Sequence, residues 1–332
     1  MYSEVFQHDD DDDDSRRVGK TDKEEQLPVA DNPQRTVDIC SWYCAFLISI
    51  SSSDEIKRLL AEEGLIEVAR AYLDAFGSFQ TPNVLSSVFD NNDEDEKKKN
   101  MEEDEEEVKQ ESNNRVQKHH SVQIYQDILE LLYAASYVTE LKLSKRRVAS
   151  SGVLDLAFQA MISMKGSKKL ETQVCRFVAG TLNGCRENQV YVSKLPHAAT
   201  LIYRLVDKCV SEFQESSKDD LAALQWSMAA LANVGIAKVC RNYFVTEGGL
   251  ELVLKFLQKG YIPNVETCRQ ILDVLTVLTY KSVENLKRAR RSNAVALTLT
   301  VMSAHRKDPV IQSVGDSLVG KLREVAVVML EE

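Results

Sequence analysis

The sequence predicts an all-α fold, a right-handed solenoid in which about five similar helical units stack in a row. Glycine and proline are scarce, with 13 and 6 copies in 332 residues, whereas sheet-rich folds need many tight turns. From about residue 119 onward, apolar residues recur almost without interruption at the spacing of an amphipathic helix. The chain is also long for one compact core of ordinary size, which favours a repeat array.

The N-terminal part holds one predicted unit between two acidic tracts. Residues 1–36 include six consecutive aspartates, Asp9–Asp14, and residues 78–118 contain the runs DNNDEDEKKKN and EEDEEE. Such tracts repel themselves and can bury little surface, so we expect a disordered tail and a disordered insertion. Residues 37–77 between them are expected to form the first unit or a cap. The sequence leaves open whether this unit docks on the main solenoid, residues 119–332.

Internal repetition is the main evidence for the units. Five segments share one pattern at the predicted start of a helix, and their anchor residues are 88, 45, 51 and 45 positions apart. A second helix is predicted to end 14–15 residues before each anchor, which indicates a unit of two or three helices. The segments are EGLIEVARAYL (Gly64), SGVLDLAFQAM (Gly152), PHAATLIYRLV (His197), EGGLELVLKFL (Gly248) and SNAVALTLTVM (Asn293).

Charge and cysteine content indicate a soluble protein of the cytoplasm or nucleus. The formal net charge is −10, yet residues 119–332 carry 27 basic and 21 acidic residues, so the acidity belongs to the two tracts. Seven cysteines without framework spacing are typical of reduced, buried thiols. The sequence shows neither a signal-peptide pattern nor an apolar run of membrane-spanning length.

Two stretches resemble a known repeat family. VTEGGLELVLKFLQ at Val245–Gln258 is similar to the glycine-pair helix start of the armadillo repeat, a close relative of the HEAT repeat. VMSAHRKDPVIQSVGDSLVGKL at Val301–Leu322 resembles the closing half-repeat of armadillo proteins, including the armadillo repeat-containing protein 6 group. The units anchored at His197 and Asn293 depart from the pattern because they lack the glycine pair.

This resemblance implies a protein partner, held as an extended segment or a helix in a groove that the last helix of each unit lines. Trp226 and Asn233 share one helix face, opposite the core stripe of Leu224, Met228 and Leu231. An asparagine there could hydrogen-bond a partner's backbone while the tryptophan stacks on its side chains. Alternatively, Trp226 packs between units and Asn233 caps its own helix. The candidate groove residues are Arg176, Asn183, Trp226, Asn233, Arg269 and Thr279.

Aligning the repeated units with one another also argues against an adaptor of the importin-α type. That family pairs a tryptophan four residues before each groove asparagine, and this chain has Ala179 and Ala229 at those places. The aromatic cage that would hold lysine stems is therefore missing, and nuclear-signal binding of that type is not expected.

Basic residues cluster shortly before two anchors, on the predicted short linking helices. A charge run is usually a solvated helix face, but it can also attract acidic partners or nucleic acid. The acidic tracts of the chain itself are an intramolecular candidate for such contact. This candidate basic ridge comprises Lys145, Arg146, Arg147, Arg288, Arg290 and Arg291.

No enzymatic motif is apparent. Cys40 and Cys44 lack further ligands at metal-binding spacing, and His119 and His120 end the acidic insertion. Phosphate loops, HExxH and nucleophile elbows do not occur, so no catalytic residue, metal or cofactor is expected. The sequence favours a non-catalytic scaffold or adaptor. Two alternatives stay open: a regulator of a small GTPase or chaperone, and a nucleic-acid-associated scaffold that uses the basic ridge.

Overall fold

The computed structural model describes residues 122–330, with gaps at 124–125, 135–141, 164–165, 215 and 261–263. Towards the N-terminus it describes only positions 46, 53, 55–56, 59–60, 64–67 and 70–71. The predicted acidic tail (1–36), the acidic insertion (78–118), Cys40, Cys44, His119 and His120 lie outside the described residues.

The described part of the chain is helical and contains no strand, as predicted for an all-α solenoid. Residues 126–134 form a helical segment that precedes twelve consecutive helices. These are α1 Lys142–Ser151, α2 Val153–Ser163, α3 Lys168–Leu182, α4 Arg186–Val192, α5 Ala198–Ser211, α6 Lys218–Gly235, α7 Lys238–Thr246, α8 Gly249–Gln258, α9 Val265–Thr279, α10 Val283–Arg291, α11 Ala294–Ala304 and α12 Pro309–Leu330.

The twelve helices form four units of three: a short first helix, a second helix and a long third helix. A residue with positive φ separates the first helix from the second in every unit, namely Gly152, His197, Gly248 and Asn293. Gly64, with φ +94°, precedes helical residues 65–67 in the same way. The predicted helix start after each of the five anchors is therefore confirmed.

The left-handed backbone explains why these anchors end one helix and begin another. A residue with positive φ cannot continue a right-handed helix, so the chain turns sharply at that point. Gly248 adopts φ +87° without a Cβ penalty, whereas His197 and Asn293 adopt φ +70° and +65° at some cost in energy.

Packing joins the units through helices of the same kind. The third helices α3, α6, α9 and α12 lie side by side in chain order, and α5, α8 and α11 contact one another likewise. One continuous apolar core runs from Ile66 to Leu322. Leu224, Met228 and Leu231 on the central helix α6 are all 0% exposed, which confirms the predicted core stripe.

Candidate functional site

A cleft of about 430 Å³ lies along the face formed by the third helices, and we call it the third-helix cleft. Helices α3, α6 and α9 supply nearly all of its lining, and Tyr133 of the 126–134 segment closes one end. Its lining residues are Tyr133, Ala179, Gly180, Asn183, Trp226, Ala229, Ala232, Asn233, Ile236, Glu266, Gln270, Asp273, Thr276 and Val277.

The N-caps of the third helices set a common register across the cleft. Ser217 and Asn264 accept hydrogen bonds from the backbone N–H groups of Asp220 and Thr267, and Ser167 occupies the same position before α3. Counting nine, twelve and sixteen residues from each cap places equivalent side chains on one helix face. The three resulting rows are Arg176, Trp226 and Asp273; Ala179, Ala229 and Thr276; and Asn183, Asn233 and Tyr280.

Two asparagine side-chain hydrogen bonds support this register independently. Asn188 donates from Nδ2 to the carbonyl of Thr181 at 2.9 Å, and Asn285 donates from Nδ2 to the carbonyl of Leu278 at 2.7 Å. Both acceptors lie fourteen residues after the N-cap of their helix. The third helices of units one and three are therefore aligned by their starts.

The aromatic end of the cleft is built around Arg176. Its guanidinium carbon lies 4.4 Å from the ring centroid of Tyr133 and 5.5 Å from that of Trp226, close enough for cation–π attraction. The two rings meet edge to face at 5.4 Å. Arg176 also pairs with Glu130 at 2.9 Å. Trp226 thus has a packing role and lines the cleft at the same time.

The two predicted asparagines both line the cleft, and each has a structural role as well. Asn233 donates from Nδ2 to the carbonyl of Ala229, one turn earlier in the same helix, at 2.9 Å. The helix continues to Gly235 and its C-cap is Ile236, so Asn233 is not the cap given as the alternative. Asn183 is exposed, and its backbone carbonyl accepts a bond from Nζ of Lys145 at 2.7 Å. Small residues, including Ala179 and Ala229, form the wall between the aromatic and polar side chains.

The opposite end of the cleft is acidic and polar. Glu266 accepts hydrogen bonds from Arg269 at 3.0 Å and from Gln270 at 3.1 Å. Asp273 is half-buried and forms no hydrogen bond or ion pair with any described residue. Burial away from water, with the Glu266 carboxylate as the second cause, raises the pKa of Asp273 from 3.8 to about 6.

Three predicted groove residues, Arg176, Arg269 and Thr279, are absent from the cleft lining. Thr279 is 3% exposed, and its hydroxyl donates to the carbonyl of Leu275 at 2.7 Å, so it belongs to the core. The prediction aligned the units by the ends of the third helices, but α6 continues beyond Asn233 whereas α9 ends at Thr279. The register set by the N-caps puts Tyr280 in the place that the prediction assigned to Thr279, and it puts Asp273 in the row of Trp226.

Arg269 lies at the junction between units three and four and binds residues on both sides of it. Its guanidinium donates to both carboxylate oxygens of Asp308, at 3.2 and 2.5 Å. Asp308 in turn accepts from the backbone N–H of Ile311 at the start of α12. Arg269 therefore fixes one third helix to the next, and it is absent from the cleft lining.

The residues of the predicted basic ridge do lie on first helices, α1 and α10, but several are bound within the chain. Lys145 is 5% exposed and is thus not a surface residue. Arg146 pairs with Glu187 at 2.6 Å and Arg288 with Glu251 at 2.8 Å. Arg290 donates to the carbonyl of Leu322 at 3.0 Å. Arg147 and Arg291 are exposed. Within this run, Arg146 and Arg288 therefore link neighbouring units, whereas Lys145 and Arg290 bond within their own units.

A larger cleft of about 700 Å³ lies between the second helices α2 and α5. Its carboxylate, Glu171, lies 3.4 Å from the ammonium group of Lys208, so these two charges face each other. It lacks the repeated rows of the third-helix cleft.

Metal and thiol chemistry find no support in the described residues. No group of three or more His, Cys, Asp or Glu side chains is placed there to hold a metal ion. Burial raises the pKa of the Cys209 thiol to about 11 and that of Cys268 to about 12, which disfavours the reactive thiolate. No described helix is both long and apolar enough to cross a membrane.

Comparison with solved structures places the chain among armadillo-like repeat folds. A designed armadillo repeat protein superimposes with a TM-score of 0.54 at 10% identity, over 89% of this chain and 96% of that chain. An engineered protein from the Northeast Structural Genomics Consortium superimposes with a TM-score of 0.50 at 12% identity, over 85% and 97% of the two chains. These likenesses show the fold alone.

No family model matches the sequence, and no curated protein matches it.

Proposed function

We propose that the protein is a non-catalytic scaffold that binds an extended or helical segment of a partner protein in the third-helix cleft. The observation that carries this proposal is the row geometry. Three consecutive third helices present side chains at common register positions, and all the row residues except Arg176 and Tyr280 line one solvent-accessible cleft. Helical solenoids commonly use such continuous surfaces for binding.

The dimensions of the cleft suit a short peptide. Packed helices lie about 8–10 Å apart, so the path from α3 across α6 to α9 is roughly 20 Å long. An extended chain rises about 3.3 Å per residue. About six residues of a partner would therefore span the cleft.

The polar groups that remain unused suit recognition of a peptide backbone. The Asn233 amide nitrogen is committed to Ala229, which leaves its oxygen to accept from a partner N–H. The side-chain amide of Asn183 and the indole N–H of Trp226 form no hydrogen bond with any described residue. A bound segment would satisfy these donors and acceptors, which water satisfies in the free protein.

The proposal also includes a cellular location, a role for the acidic tracts and a repeat subfamily, all of which rest on the sequence. We place the scaffold in the cytoplasm or nucleus, and we take residues 1–36 and 78–118 as acidic tracts that flank it. Because residues 119–332 carry 27 basic and 21 acidic residues, these tracts could also contact the basic first helices. Kinship with the armadillo repeat-containing protein 6 group is part of the same proposal.

The test is affinity capture from cell lysate with the tagged full-length protein and quantitative mass spectrometry. The variant Trp226→Ala/Asn233→Ala is compared with Leu299→Ala, a control at an exposed apolar residue on a second helix. We expect some partner proteins to bind wild type and the Leu299→Ala control but not the double variant. The helicity of the double variant should equal that of wild type. Partners retained equally by all three proteins would overturn the cleft as the binding site.

A further inference from the structure

The third-helix cleft has a charge opposite to that of the helical body around it. The two charged residues among its described lining, Glu266 and Asp273, are both acidic. Residues 119–332 as a whole carry six more basic than acidic residues. The cleft is therefore a local negative site on a net positive body, and it disfavours an acidic occupant.

The two carboxylates differ in how far the chain satisfies them. Glu266 accepts from Arg269 at Oε2 and from Gln270 at Oε1. Asp273 is half-buried yet has neither a donor nor an ion-pair partner among the described residues. A cation strongly stabilises a carboxylate that is partly buried and has no ion-pair partner.

The nearby arginines cannot supply that cation, because each is engaged elsewhere. Arg176 pairs with Glu130 and stacks on Tyr133. Arg269 lies on the same helix as Asp273, but its guanidinium is held by Asp308 and Glu266. A cation for Asp273 must therefore come from outside the described chain.

A second polar residue, Thr276, lines the same cleft one helical turn away. Its Oγ1 is buried and lacks a hydrogen-bond partner among the described residues, so an incoming group reaches the Asp273 carboxylate and not this oxygen. The raised pKa of Asp273, caused by burial and by Glu266, agrees with a site that lacks its positive partner.

We propose that the segment bound in the third-helix cleft contributes a lysine or arginine side chain, which pairs with the Asp273 carboxylate on α9. This inference rests on the proposed scaffold function and specifies its partner: a basic residue within a short peptide segment. The aromatic end at Trp226 receives the neighbouring apolar side chain of the same segment.

The experiment starts from a random library of 12-residue peptides displayed on phage and panned against the full-length protein. Selected peptides are synthesised, and their affinities are measured by fluorescence anisotropy with wild type and with Asp273→Asn. Asp207→Asn is the matched control, because Asp207 is an exposed carboxylate on α5 outside the cleft. Asparagine keeps the shape of the side chain, and circular dichroism verifies that each variant is folded.

We expect a recurrent lysine or arginine in the selected peptides. Replacing that residue by glutamine should lower the affinity for wild type and for Asp207→Asn by about 10- to 100-fold. The same replacement should change the affinity for Asp273→Asn far less, since the charged partner is already gone.

Two other results would overturn the inference in distinguishable ways. If the selected peptides lack a basic residue, or lose equal affinity for wild type and Asp273→Asn, the basic anchor is wrong. Dependence of those peptides on Trp226 would still support the scaffold function. If no peptide is selected, or if all bind Trp226→Ala as well as wild type, the cleft is not the binding site and both proposals fail.

Discussion

At the scale of single residues, the environment of Asp273 is unfavourable for its carboxylate in the unbound protein. Its pKa is raised to about 6 by burial and by Glu266, so the folded state holds its proton more tightly than the unfolded chain does. Folding is therefore penalised at a pH where the carboxyl is ionised in both states. The penalty is complete above about pH 6 and disappears below the unfolded pKa of about 3.9.

The first prediction is that Asp273→Asn stabilises the protein in a pH-dependent way. The variant should exceed wild type by roughly 1–2 kcal/mol in free energy of unfolding at pH 7, because it removes an unpaired, partly desolvated charge. The difference should shrink towards zero near pH 4. Urea unfolding at pH 4, 5, 6 and 7 measures it. A difference that did not vary with pH would show that Asp273 has no perturbed titration.

Residue by residue, the sequence predicted part of the cleft. Trp226 and Asn233 could be found because their spacing within one helix is local information, and Asn183 could be found because it occupies the equivalent place in the preceding unit. The place of Asp273 could not be found by aligning helix ends, since α6 and α9 end at different register positions. The Ser217 and Asn264 caps are visible in the sequence and would have given the correct alignment.

At the scale of helices, the anchor residues decide where each unit bends. His197 is exposed and has φ +70°, a conformation that costs a non-glycine residue about 1 kcal/mol. Gly248 occupies the equivalent place at φ +87°. The two positions thus form a natural pair for testing the cost of the left-handed backbone.

The second prediction is that His197→Gly stabilises the protein by about 0.5–1 kcal/mol, through relief of that strain. The reverse change at the equivalent anchor, Gly248→Ala, should destabilise it by about 1 kcal/mol. Denaturant midpoints of the two variants measure both effects. Shifts of the same sign in both would contradict the assignment of a shared left-handed conformation.

The helices themselves were largely predictable, and their partners were not. Apolar periodicity and the glycine and asparagine anchors are local signals, so helix starts followed from the sequence. The bidentate Arg269–Asp308 pair and the contact of Arg176 with Tyr133 join residues that are far apart in the sequence. Only the packed units reveal that these arginines are engaged.

At the scale of the whole molecule, the described units form a linear series in which each third helix packs against the next. One part of such an array can unfold while the rest stays folded, because the stability of each unit depends on the unit itself and on its contacts with neighbouring units. Among the described third helices, α6 packs against two others, α3 and α9, whereas α12 packs against α9. The local stability around α12 is therefore expected to be more sensitive to a core change than that around α6.

The third prediction concerns Leu322, a fully buried residue of α12. Leu322→Ala should cost about 2–5 kcal/mol locally, as expected for a truncated core leucine. Hydrogen exchange should accelerate in α10–α12 and remain slow in α3. Leu224→Ala in the central helix is the comparison and should accelerate exchange in α3 and α9 as well. Uniform acceleration by Leu322→Ala would indicate one all-or-none folding unit.

The common register of the third helices also bears on how such a protein can be altered. The caps Ser167, Ser217, Asn264 and Asp308 follow one another at shortening intervals, yet the side chains that follow the first three caps stay aligned. Length differences are absorbed before the caps and after the last aligned position, as in α6, which ends at Gly235. The stretch from α7 to α9 can thus be treated as an exchangeable cassette, and a duplicated copy would extend each of the three rows by one residue without shifting the others.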